Sequence, residues 1–372
     1  MNPFLPASPF VRFAGPVLLP PFAEDVAVDY GPVHGKPGAS LLWRRLRPAL
    51  SLRWHGQARL RRDRIPKGTR RVLWIYKGAP QIGDSLMDLS SRALLVQRGI
   101  AVDLVTDAHL AGLYRADRFF GRVFDTSDAA APADYDLVLL DSLKGRCIEA
   151  KIGRLRTLPF ATMRGVFSGP EFNRTLFSFF RMKQLLGLDT PERTLRAMAK
   201  PAMFASNEDE ADADALKIPP GAVAVALGGA DPVRSYAHWP DLLSGLLHAT
   251  PRTPLVLLGS KNALAARDAV LARLASSSGT RIIDAVDRLT LPQTFAALER
   301  CTLAVAADGG LLHLAHAAGV PTVALFDRHI APALRLTPAN HSLPLQSPAE
   351  VSALPPEQVA AAIREALDRY AD

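Results

Sequence analysis

The sequence predicts an α/β fold made of two doubly wound domains, each built around a parallel sheet. Short apolar runs typical of buried strands alternate with amphipathic helical segments along residues 71–326. Glycine-containing turns join several of these strands to the helices that follow them, as in βαβ units. The length of 372 residues is enough for two domains of ordinary size.

The composition is that of a globular protein with a basic surface. Hydrophobic residues make up 48% of the chain, and the formal net charge is +8. This balance favours an anionic partner, such as a nucleic acid, a membrane surface or a phosphorylated glycolipid. No apolar run reaches the roughly 18 residues of a membrane span, and the N-terminal residues lack the pattern of a signal peptide. The two cysteines, Cys147 and Cys301, allow neither a disulfide framework nor a CxxC metal site. We therefore expect a cytoplasmic protein, with peripheral contact at the inner membrane.

Residues 1–67 form a proline-rich N-terminal arm without a regular pattern. It contains a basic tract that is interleaved with Trp43 and Trp54 and consists of Arg44, Arg45, Arg47, Arg53, Arg59, Arg61, Arg62 and Arg64. One interpretation is an arm on an anionic membrane face, with the tryptophans at headgroup level. The favoured one is a solvated lead-in that covers the domain. Nucleic-acid binding ranks third, because no recognition motif accompanies the arginines.

Residues 68–200 are predicted to form the first domain, which opens with a strand over 71–76. A loop over 77–83 and one helix from Asp84 to Gln97 follow, because apolar residues share one side of that segment. Further strands are predicted over 101–106 and 135–141.

Asp84 has two interpretations from its position between a strand and a helix. It is either a general base that takes a proton from an acceptor hydroxyl, or the N-cap of the helix. The residues alone favour the N-cap.

The segment 142–200 is basic and includes a predicted amphipathic helix that ends near Gly187. Its basic face either meets an anionic acceptor or is simply solvated. Residues 201–221 are acidic at their centre and rich in alanine and proline, which predicts a linker to the second domain, 222–372.

The second domain begins with a strand over 222–229 that ends in two glycines. Trp239 and Pro240 are predicted to open a helix, and Thr290 with Gln293 is predicted to form a capping box. Further strands are predicted over 254–259 and 281–286, and a last helix over 356–370.

The stretch 301–326 carries the clearest signal for chemistry. It predicts a strand over 302–307, a turn at Asp308-Gly309-Gly310, a helix over 311–318 that Gly319 ends, and a strand over 322–326. One interpretation is a diphosphate cradle, because the first N–H groups of a helix are unpaired and carry partial positive charge. Asp308 or His313 would then contact the ligand.

The alternative is an ordinary tight connection between strand and helix, with His313 and His316 as packing or surface residues. The spacing of the residues leaves both interpretations open. A zinc site on the two histidines is disfavoured, because no third ligand lies near them in sequence.

Three motifs together resemble glycosyltransferase family 9, whose best-known members are the ADP-heptose:lipopolysaccharide heptosyltransferases. They are IGDSLMDLSSRALL, GGADPVRSYAHWPDLL and AADGGLLHLAHAAGVPTVALF. The last is similar to the family's Asp-Ser/Thr-Gly-x-x-His pattern and is the strongest match. The resemblance covers roughly residues 71–326 and implies a GT-B fold, in which two Rossmann-like domains enclose the active site in a cleft.

The resemblance also implies roles for particular residues. Asp84 corresponds to the catalytic base, and Arg234 is the cation nearest to the position that offsets leaving-group charge. The predicted donor-binding residues, which lie mainly in glycine turns after strands, are Lys77, Gly83, Gly228, Gly229, Asp308, Gly309, Gly310, Leu311 and His313.

The sequence departs from the family pattern at three places. Ala237 stands where members commonly carry a lysine just before Trp-Pro, and arginine is not equivalent to lysine at such a site. Gly309 replaces the usual hydroxyl residue of the turn. Lys261 and Asn262 stand where a glutamate often contacts the nucleotide ribose.

The function that the resemblance implies is an inverting, metal-independent transfer without a cofactor. A heptose or similar sugar would move from a nucleotide-diphosphate donor to a lipopolysaccharide or other bacterial glycan, with an anionic glycolipid as acceptor and no nucleic acid as partner. One alternative is a sugar-nucleotide epimerase of the same fold. The other is a degenerate protein that binds nucleotide-sugar or glycan without catalysis, which the alanine at position 237 motivates.

Overall fold

A computed structural model describes residues 23–26, 38–79, 81–165, 171–229, 231–250, 252–275 and 282–370. The chain divides into two compact units, Met1–Ala199 and Lys200–Asp372. Each unit is a parallel sheet with helices, so the predicted fold class is confirmed.

Within the described residues, the first unit contains a five-stranded parallel sheet of order β3-β2-β1-β4-β5. Its strands are β1 (Arg71–Ile75), β2 (Ala101–Val105), β3 (Phe120–Phe124), β4 (Leu137–Leu140) and β5 (Phe160–Thr162). The central strands β1 and β4 are almost wholly buried, as expected when helices cover both faces. The strand order reverses between β1 and β4, and ligands of doubly wound sheets bind outside the carboxyl ends at such a point.

The helices of the first unit follow the strands in the expected alternation. They are α1 (Gly38–Trp54), α2 (Ile82–Asp88), α3 (Arg92–Gln97), α4 (Ala108–Tyr114), α5 (Gly145–Ile152), α6 (Arg174–Leu186) and α7 (Glu192–Met198). The predicted end of α6 is confirmed, because Gly187 adopts the left-handed conformation that closes a helix (φ 62°).

The predicted single helix from Asp84 to Gln97 is wrong, because α2 and α3 are separate helices. Ser90 lies in the turn between them, and its hydroxyl donates a 2.7 Å hydrogen bond to the Met87 carbonyl. Such local bonds compete with helix continuation. The N-cap interpretation of Asp84 is also wrong: Gln81 is the N-cap, and Asp84 is the third residue inside α2.

The N-terminal arm is less irregular than its sequence suggests. Residues 38–54 form helix α1, whereas residues 1–22 and 27–37 lie outside the described residues. Trp43 and Trp54 are exposed, but Leu52 is buried in the core that α1 shares with α5 and β4. This burial holds the last turns of the helix against the first unit.

The second unit, within its described residues, has a six-stranded parallel sheet of order β11-β10-β9-β6-β7-β8. Its strands are β6 (Val223–Ala226), β7 (Leu255–Leu258), β8 (Ile282–Asp284), β9 (Leu303–Ala307), β10 (Thr322–Phe326) and β11 (Ser342–Gln346). The order again reverses at one point, between β6 and β9. The carboxyl ends of these two strands are therefore where a ligand is expected.

The helices of the second unit are α8 (Asn207–Ala215), α9 (Trp239–Ala249), α10 (Leu264–Leu274), α11 (Leu291–Glu299), α12 (Gly310–Ala318) and α13 (Pro356–Tyr370). The Trp239 start of α9 and the capping box of Thr290 and Gln293 are confirmed. Helix α12 ends at Gly319, as predicted.

The segment 201–221, predicted as a linker, contains α8 and belongs to the second unit. A capping box of Ser206 and Asp209 starts this helix, and Ala213 packs with α11 residues in a small buried cluster. Its acidic composition reflects an exposed face that pairs with Arg300, not an unstructured connection.

Strands β3, β5 and β11 are absent from the sequence prediction. They lie at sheet edges, where one flank of the strand has no neighbour and a continuous apolar run is not needed. Strand β11 even contains Pro344, which edge strands tolerate. Among the described residues, no helix has the length and apolar character needed to cross a membrane.

Candidate functional site

The carboxyl ends of β6 and β9 bring together the predicted donor-binding residues of the second unit. Leu227, Gly228 and Gly229 follow β6, and Asp308 with Gly309 follows β9. These segments lie on either side of the point where the strand order reverses. The sheet topology therefore places both motifs at the position typical of nucleotide sites in such folds.

Asp308 is a buried carboxylate with cations around it. Arg335 Nε lies 3.2 Å from Asp308 Oδ1, and Arg234 Nη1 lies 3.5 Å from Asp308 Oδ2. The Asp308 side chain is only 3% exposed, whereas 35% of the Arg234 side chain is accessible. Asp308 is thus better placed to orient arginines than to contact a ligand phosphate, which its own charge would repel.

Asp327, which follows β10, is a second anchor for the same arginine. Its Oδ2 lies 3.8 Å from Arg234 Nε, and its Oδ1 accepts a 2.6 Å hydrogen bond from the His329 N–H. Two buried carboxylates therefore lie within ion-pair distance of the Arg234 guanidinium, while 35% of the Arg234 side chain stays open to solvent.

Helix α12 begins next to these arginines without a side-chain cap. Gly309 is its N-cap and supplies no oxygen to the first turn, and Gly310 is exposed with no atom within 4 Å of where a Cβ would lie. The first N–H groups are consequently accessible and carry the partial positive charge of the helix. An anion can approach them closely.

The loop after β6 is held close to the loop after β7. Asn262 Nδ2 donates a 2.8 Å hydrogen bond to the Gly229 carbonyl, and a Cβ at Gly228 would lie 2.8 Å from Asn262 Oδ1. Gly228 is therefore needed for close packing between the two loops, whereas a Cβ at Gly229 would lie 2.9 Å from Ser235 Oγ of its own loop. Asn262, which stands where the family often has a glutamate, shapes this loop.

His313 and His316 are both buried. His316 Nε2 lies 3.0 Å from Ser342 Oγ, and burial lowers the pKa of His316 well below its ordinary value. His313 is 2% exposed, and its Nε2 lies 3.8 Å from Asp308 Oδ1. His316 is a packing residue, whereas the contact of His313 with a donor stays a prediction.

Asp84 lies in the first turn of α2, after the central strand β1 of the first unit. Its Oδ2 lies 3.1 Å from Arg174 Nη2, and 27% of its side chain is exposed. Gly83 precedes it in the same turn. The carboxylate is therefore both fixed by a cation and accessible to a substrate hydroxyl.

Arg174, the partner of Asp84, belongs to a buried ionic network. Arg174 also contacts Asp88 (Nη1 to Oδ2, 2.9 Å), and Arg164 binds both Asp88 and Asp141. Burial raises the pKa of Asp141 to about 6, and the neighbouring charge of Arg164 opposes that rise. Because breaking such a network leaves a buried charge unpaired, its geometry is strongly determined.

Lys77 has side-chain partners within the first unit. Its Nζ donates a 2.8 Å hydrogen bond to the Asp125 carbonyl and lies 3.7 Å from Asp107 Oδ1. The side chain is thus directed towards the loops after β2 and β3. Its predicted contact with the donor diphosphate remains a prediction.

Sequence reasoning missed several of the charged residues at the two sites. Asp141 and Asp327 directly follow buried strands, and that position was a usable signal. Arg174 is one of many basic residues in the segment 142–200, and nothing in its local sequence distinguishes it from the others. Arg335 lies in the loop after β10, and nothing in its local sequence indicates that it would reach Asp308.

No group of three His, Cys, Asp or Glu side chains in the described part of the chain could hold a metal ion. Metal independence stays a prediction, because an open nucleotide site can take up a metal together with its substrate phosphates.

Comparison with known proteins gives one family. Residues 173–348 match the family model of glycosyltransferase family 9 (heptosyltransferase). The matched segment contains Arg174 and the whole arginine and glycine site of the second unit. No curated protein matches the chain by sequence.

Solved structures share the fold at low sequence identity. A glycosyl transferase family 9 protein from Veillonella parvula has a TM-score of 0.63 at 15% identity, over 81% of this chain and 98% of that chain. E. coli heptosyltransferase WaaC with ADP has a TM-score of 0.60 at 16% identity, over 81% of this chain and 99% of that chain. E. coli ADP-heptose lps heptosyltransferase II has a TM-score of 0.57 at 16% identity, over 81% of this chain and 100% of that chain.

Proposed function

We propose that this chain is a glycosyltransferase of the family 9 type, and that it transfers a sugar from a nucleotide-diphosphate donor to a bacterial glycan. The transfer inverts the anomeric centre, needs no metal ion and uses Asp84 as the base. The acceptor is an anionic glycan or glycolipid. An adenosine diphosphate sugar is the first donor to test, because one structural neighbour is a heptosyltransferase with ADP.

The observation that carries this proposal is the cationic end of α12 in the second unit. The uncapped first turn of the helix follows Asp308, and Asp308 and Asp327 both lie within ion-pair distance of Arg234. A diphosphate is the ligand that such a set of N–H groups and a guanidinium suits best. Arg335, which contacts Asp308 at 3.2 Å, adds positive charge that offsets the buried carboxylate.

Arg234 also compensates for the alanine at position 237. The backbone N–H of Ala237 donates a 3.0 Å hydrogen bond to Ser352 Oγ, so that residue is part of an anchored loop without a cation. Arg234 lies three residues earlier and reaches the carboxyl end of β9. We assign to it the stabilisation of the leaving diphosphate.

The chemical step conserves atoms and charge. Asp84 accepts the proton of the acceptor hydroxyl while that oxygen attacks the anomeric carbon of the donor. The bond from that carbon to the diphosphate oxygen breaks, and the diphosphate leaves with the electron pair. Its charge is stabilised by the first N–H groups of α12 and by Arg234, and donors fixed in advance contribute about 3 kcal/mol each in comparable sites.

The donor site is tested by calorimetric titration with ADP, UDP, GDP and their sugars. We expect one nucleotide to bind selectively. Arg234→Ala should weaken it by about tenfold to a hundredfold, the range for losing a charge-assisted hydrogen bond. Arg252→Ala, an exposed arginine elsewhere in the second unit, is the matched control. Equal affinity in wild type and Arg234→Ala would remove Arg234 from the site, and no binding of any nucleotide would overturn the donor cradle.

A second candidate is a protein that binds a nucleotide-sugar without transferring it, and Ala237 is the observation in its favour. This candidate predicts the same nucleotide binding but no turnover with any acceptor. The two candidates separate at Asp84, because only transfer depends on a base.

A further inference from the structure

A short piece of the N-terminal arm, residues 23–26, pairs with the segment that opens helix α6. Val26 forms an antiparallel bridge with Phe172, and the Asp25 carbonyl accepts a 2.7 Å hydrogen bond from the Asn173 N–H. Phe172 and Asn173 are both buried. The arm therefore supplies the hydrogen-bond acceptor for the N–H group of the residue that caps α6.

Asp25 is itself held by a buried charge pair. Its side chain is 3% exposed, and its Oδ1 and Oδ2 accept hydrogen bonds of 3.2 and 2.8 Å from the guanidinium of Arg196 in α7. Arg196 Nε also donates a 2.8 Å hydrogen bond to Glu192 Oε1. A buried pair of this kind adds little net stability, but its two parallel hydrogen bonds fix the position of Asp25.

Asn173 connects the arm to Arg174, which is the first residue of α6. Its Oδ1 accepts a 3.0 Å hydrogen bond from the Leu176 N–H and so caps the helix. The guanidinium of Arg174 divides between two carboxylates of α2. Its Nη2 lies 3.1 Å from Asp84 Oδ2, and its Nη1 lies 2.9 Å from Asp88 Oδ2. A shift in the start of α6 would therefore change the contact between Arg174 and Asp84.

The contacts form a series from the arm to the proposed base, and most of it is buried. Asp25, Asn173 and Asp88 are at most 3% exposed, whereas 27% of the Asp84 side chain is accessible. Because a close-packed interior transmits displacements, the position of Asp25 affects that of Asp84. The interpretation of the arm as a solvated lead-in does not account for a buried aspartate.

We propose that Asp25 is a positioning residue for the catalytic base, and that it acts on Asp84 through Asn173 and Arg174. A piece of the N-terminal arm then helps to hold the base in place, although it lies outside the segment that matches the family model. This inference rests on the proposed function for the role of Asp84 as base. The coupling between the two aspartates is measurable without that role.

Carboxyl labelling with a water-soluble carbodiimide and glycine ethyl ester measures the coupling on the full chain without any substrate. Mass spectrometry with peptide fragmentation gives the labelling rate at Asp84. In Asp25→Asn this rate should rise by about threefold or more, the size expected when a partly exposed ion pair with Arg174 is lost. The rate at the exposed Asp63 is the internal standard and should not change. Equal Asp84 rates in wild type and Asp25→Asn overturn the proposal.

Two further variants control this experiment. Glu24→Gln is the matched control, because Glu24 also lies near Arg196, at 3.5 Å, but with 67% of its side chain exposed. It should label like the wild type. Arg196→Lys keeps the charge but loses the two parallel hydrogen bonds to Asp25, so it should also raise the Asp84 rate. Thermal unfolding checks the fold of each variant. If Asp25→Asn is unfolded at the labelling temperature, an unchanged Asp84 rate in folded Arg196→Lys overturns the proposal instead.

A double-mutant cycle of Asp25→Asn and Asp84→Asn tests the effect on transfer, with initial rates for the nucleotide-sugar that the titrations select. Asp25→Asn should lower the turnover number by about tenfold, because misplaced catalytic groups lose rate steeply. The KM for the donor should stay within about twofold, because the donor site is built from the second unit. In the Asp84→Asn background no further loss should follow, since the effect acts through that carboxylate.

The cycle separates this inference from the proposed function. Losses that multiply in the double variant would show a general structural effect and overturn the positioning role alone. Wild-type turnover in Asp84→Asn would overturn the base assignment of the proposed function. The labelling rate would then still decide whether Asp25 positions the Asp84 carboxylate.

Discussion

Asp84 is the residue at which the local sequence and the tertiary structure differ most in what they indicate. Its position before a helix predicts a cap, but the structure places it inside the first turn with its carboxylate 3.1 Å from Arg174 Nη2. Arg174 in turn contacts the buried Asp88. The pairing fixes the direction of the Asp84 carboxylate, and a base needs a defined position relative to the proton that it accepts.

Replacement of Asp84 by asparagine tests its role as base. The amide side chain keeps the size and an oxygen for Arg174, so folding and ADP affinity should stay near wild type. The turnover number should fall by about a hundredfold to ten-thousandfold, the usual contribution of a general base. Initial rates are measured with the nucleotide-sugar that the titrations select. Asp63→Asn, at an exposed aspartate of the same unit, is the control, and wild-type turnover in Asp84→Asn would contradict the assignment.

At the scale of elements, the backbone conformation of a single glycine decides whether a helix tolerates alanine in its place. Gly319 ends α12 at φ 75°, a left-handed conformation, and the Cβ of an L-residue is strained there. Gly245 in the middle of α9 has an ordinary helical backbone, and nothing lies within 4 Å of its missing Cβ. The same substitution should therefore act in opposite directions at the two positions.

Gly319→Ala should lower the free energy of unfolding by about 1 kcal/mol, because alanine disfavours the left-handed region. Gly245→Ala should raise it by about 0.5–1 kcal/mol through better helix propensity. Urea unfolding of both variants beside the wild type measures the two changes. Destabilisation of similar size in both would show that lost space, and not backbone conformation, decides the outcome.

Helix α5 contains a second element-scale feature, a buried lysine whose hydrogen bonds go to neutral oxygen atoms. Lys151 Nζ donates hydrogen bonds to Gln57 Oε1 (2.5 Å) and to the Leu155 carbonyl (3.0 Å). Burial lowers the pKa of Lys151 to about 8. Its pKa in the unfolded chain is about 10.4, so between these values the unfolded state binds more protons than the native state.

Stability should consequently rise with pH in this window through Lys151. The gain in the free energy of unfolding is complete above about pH 10.4, where Lys151 is neutral in both states. The gain is lost as the pH falls through about 8, where Lys151 is charged in both states. In Lys151→Met the rise should be absent, and the difference between wild type and variant should change with pH only inside the window. Urea unfolding at several pH values measures it. Lys67→Met, at an exposed lysine, is the control, and an identical pH profile of wild type and Lys151→Met would contradict the prediction.

At the scale of the whole molecule, each sheet has its own hydrophobic core. The main core of the second unit draws on β6, β7, β9 and β10 together with α9 and α13. The core of the first unit draws on β1, β4, α1 and α5. Among the residues that the structure describes, none is common to these two clusters, so a cavity made in one core should be felt mainly in that unit.

Leu257→Ala in β7 should lower the free energy of unfolding by about 2–5 kcal/mol, the range for a buried leucine. Hydrogen exchange followed by mass spectrometry should show lost protection in peptides of β6, β7 and β9, with those of β1 and β4 unchanged. Leu140→Ala in β4 should show the reverse pattern. Loss of protection throughout the chain in both variants would mean that the units unfold as one.

The sequence by itself determined the features that depend on neighbours in the chain. It determined the two α/β domains, the central strands, the capping box at Thr290, the ends of α6 and α12 and the final helix. The reason is physical: buried parallel strands need continuous apolar runs, and helix ends need particular residues within a few positions. The match of residues 173–348 to glycosyltransferase family 9 confirms the resemblance that the two motifs of the second unit carried.

Only the tertiary structure decided the features that depend on contacts between distant residues. The division of 84–97 into two helices, the edge strands and the helical content of 38–54 and 201–221 are of this kind. So are the pairing of Asp84 with Arg174 and the convergence of Arg234 and Arg335 on Asp308. A charged residue on a loop has no local signal for its partner, because the partner is set by how the sheet orders its strands and brings their carboxyl ends together.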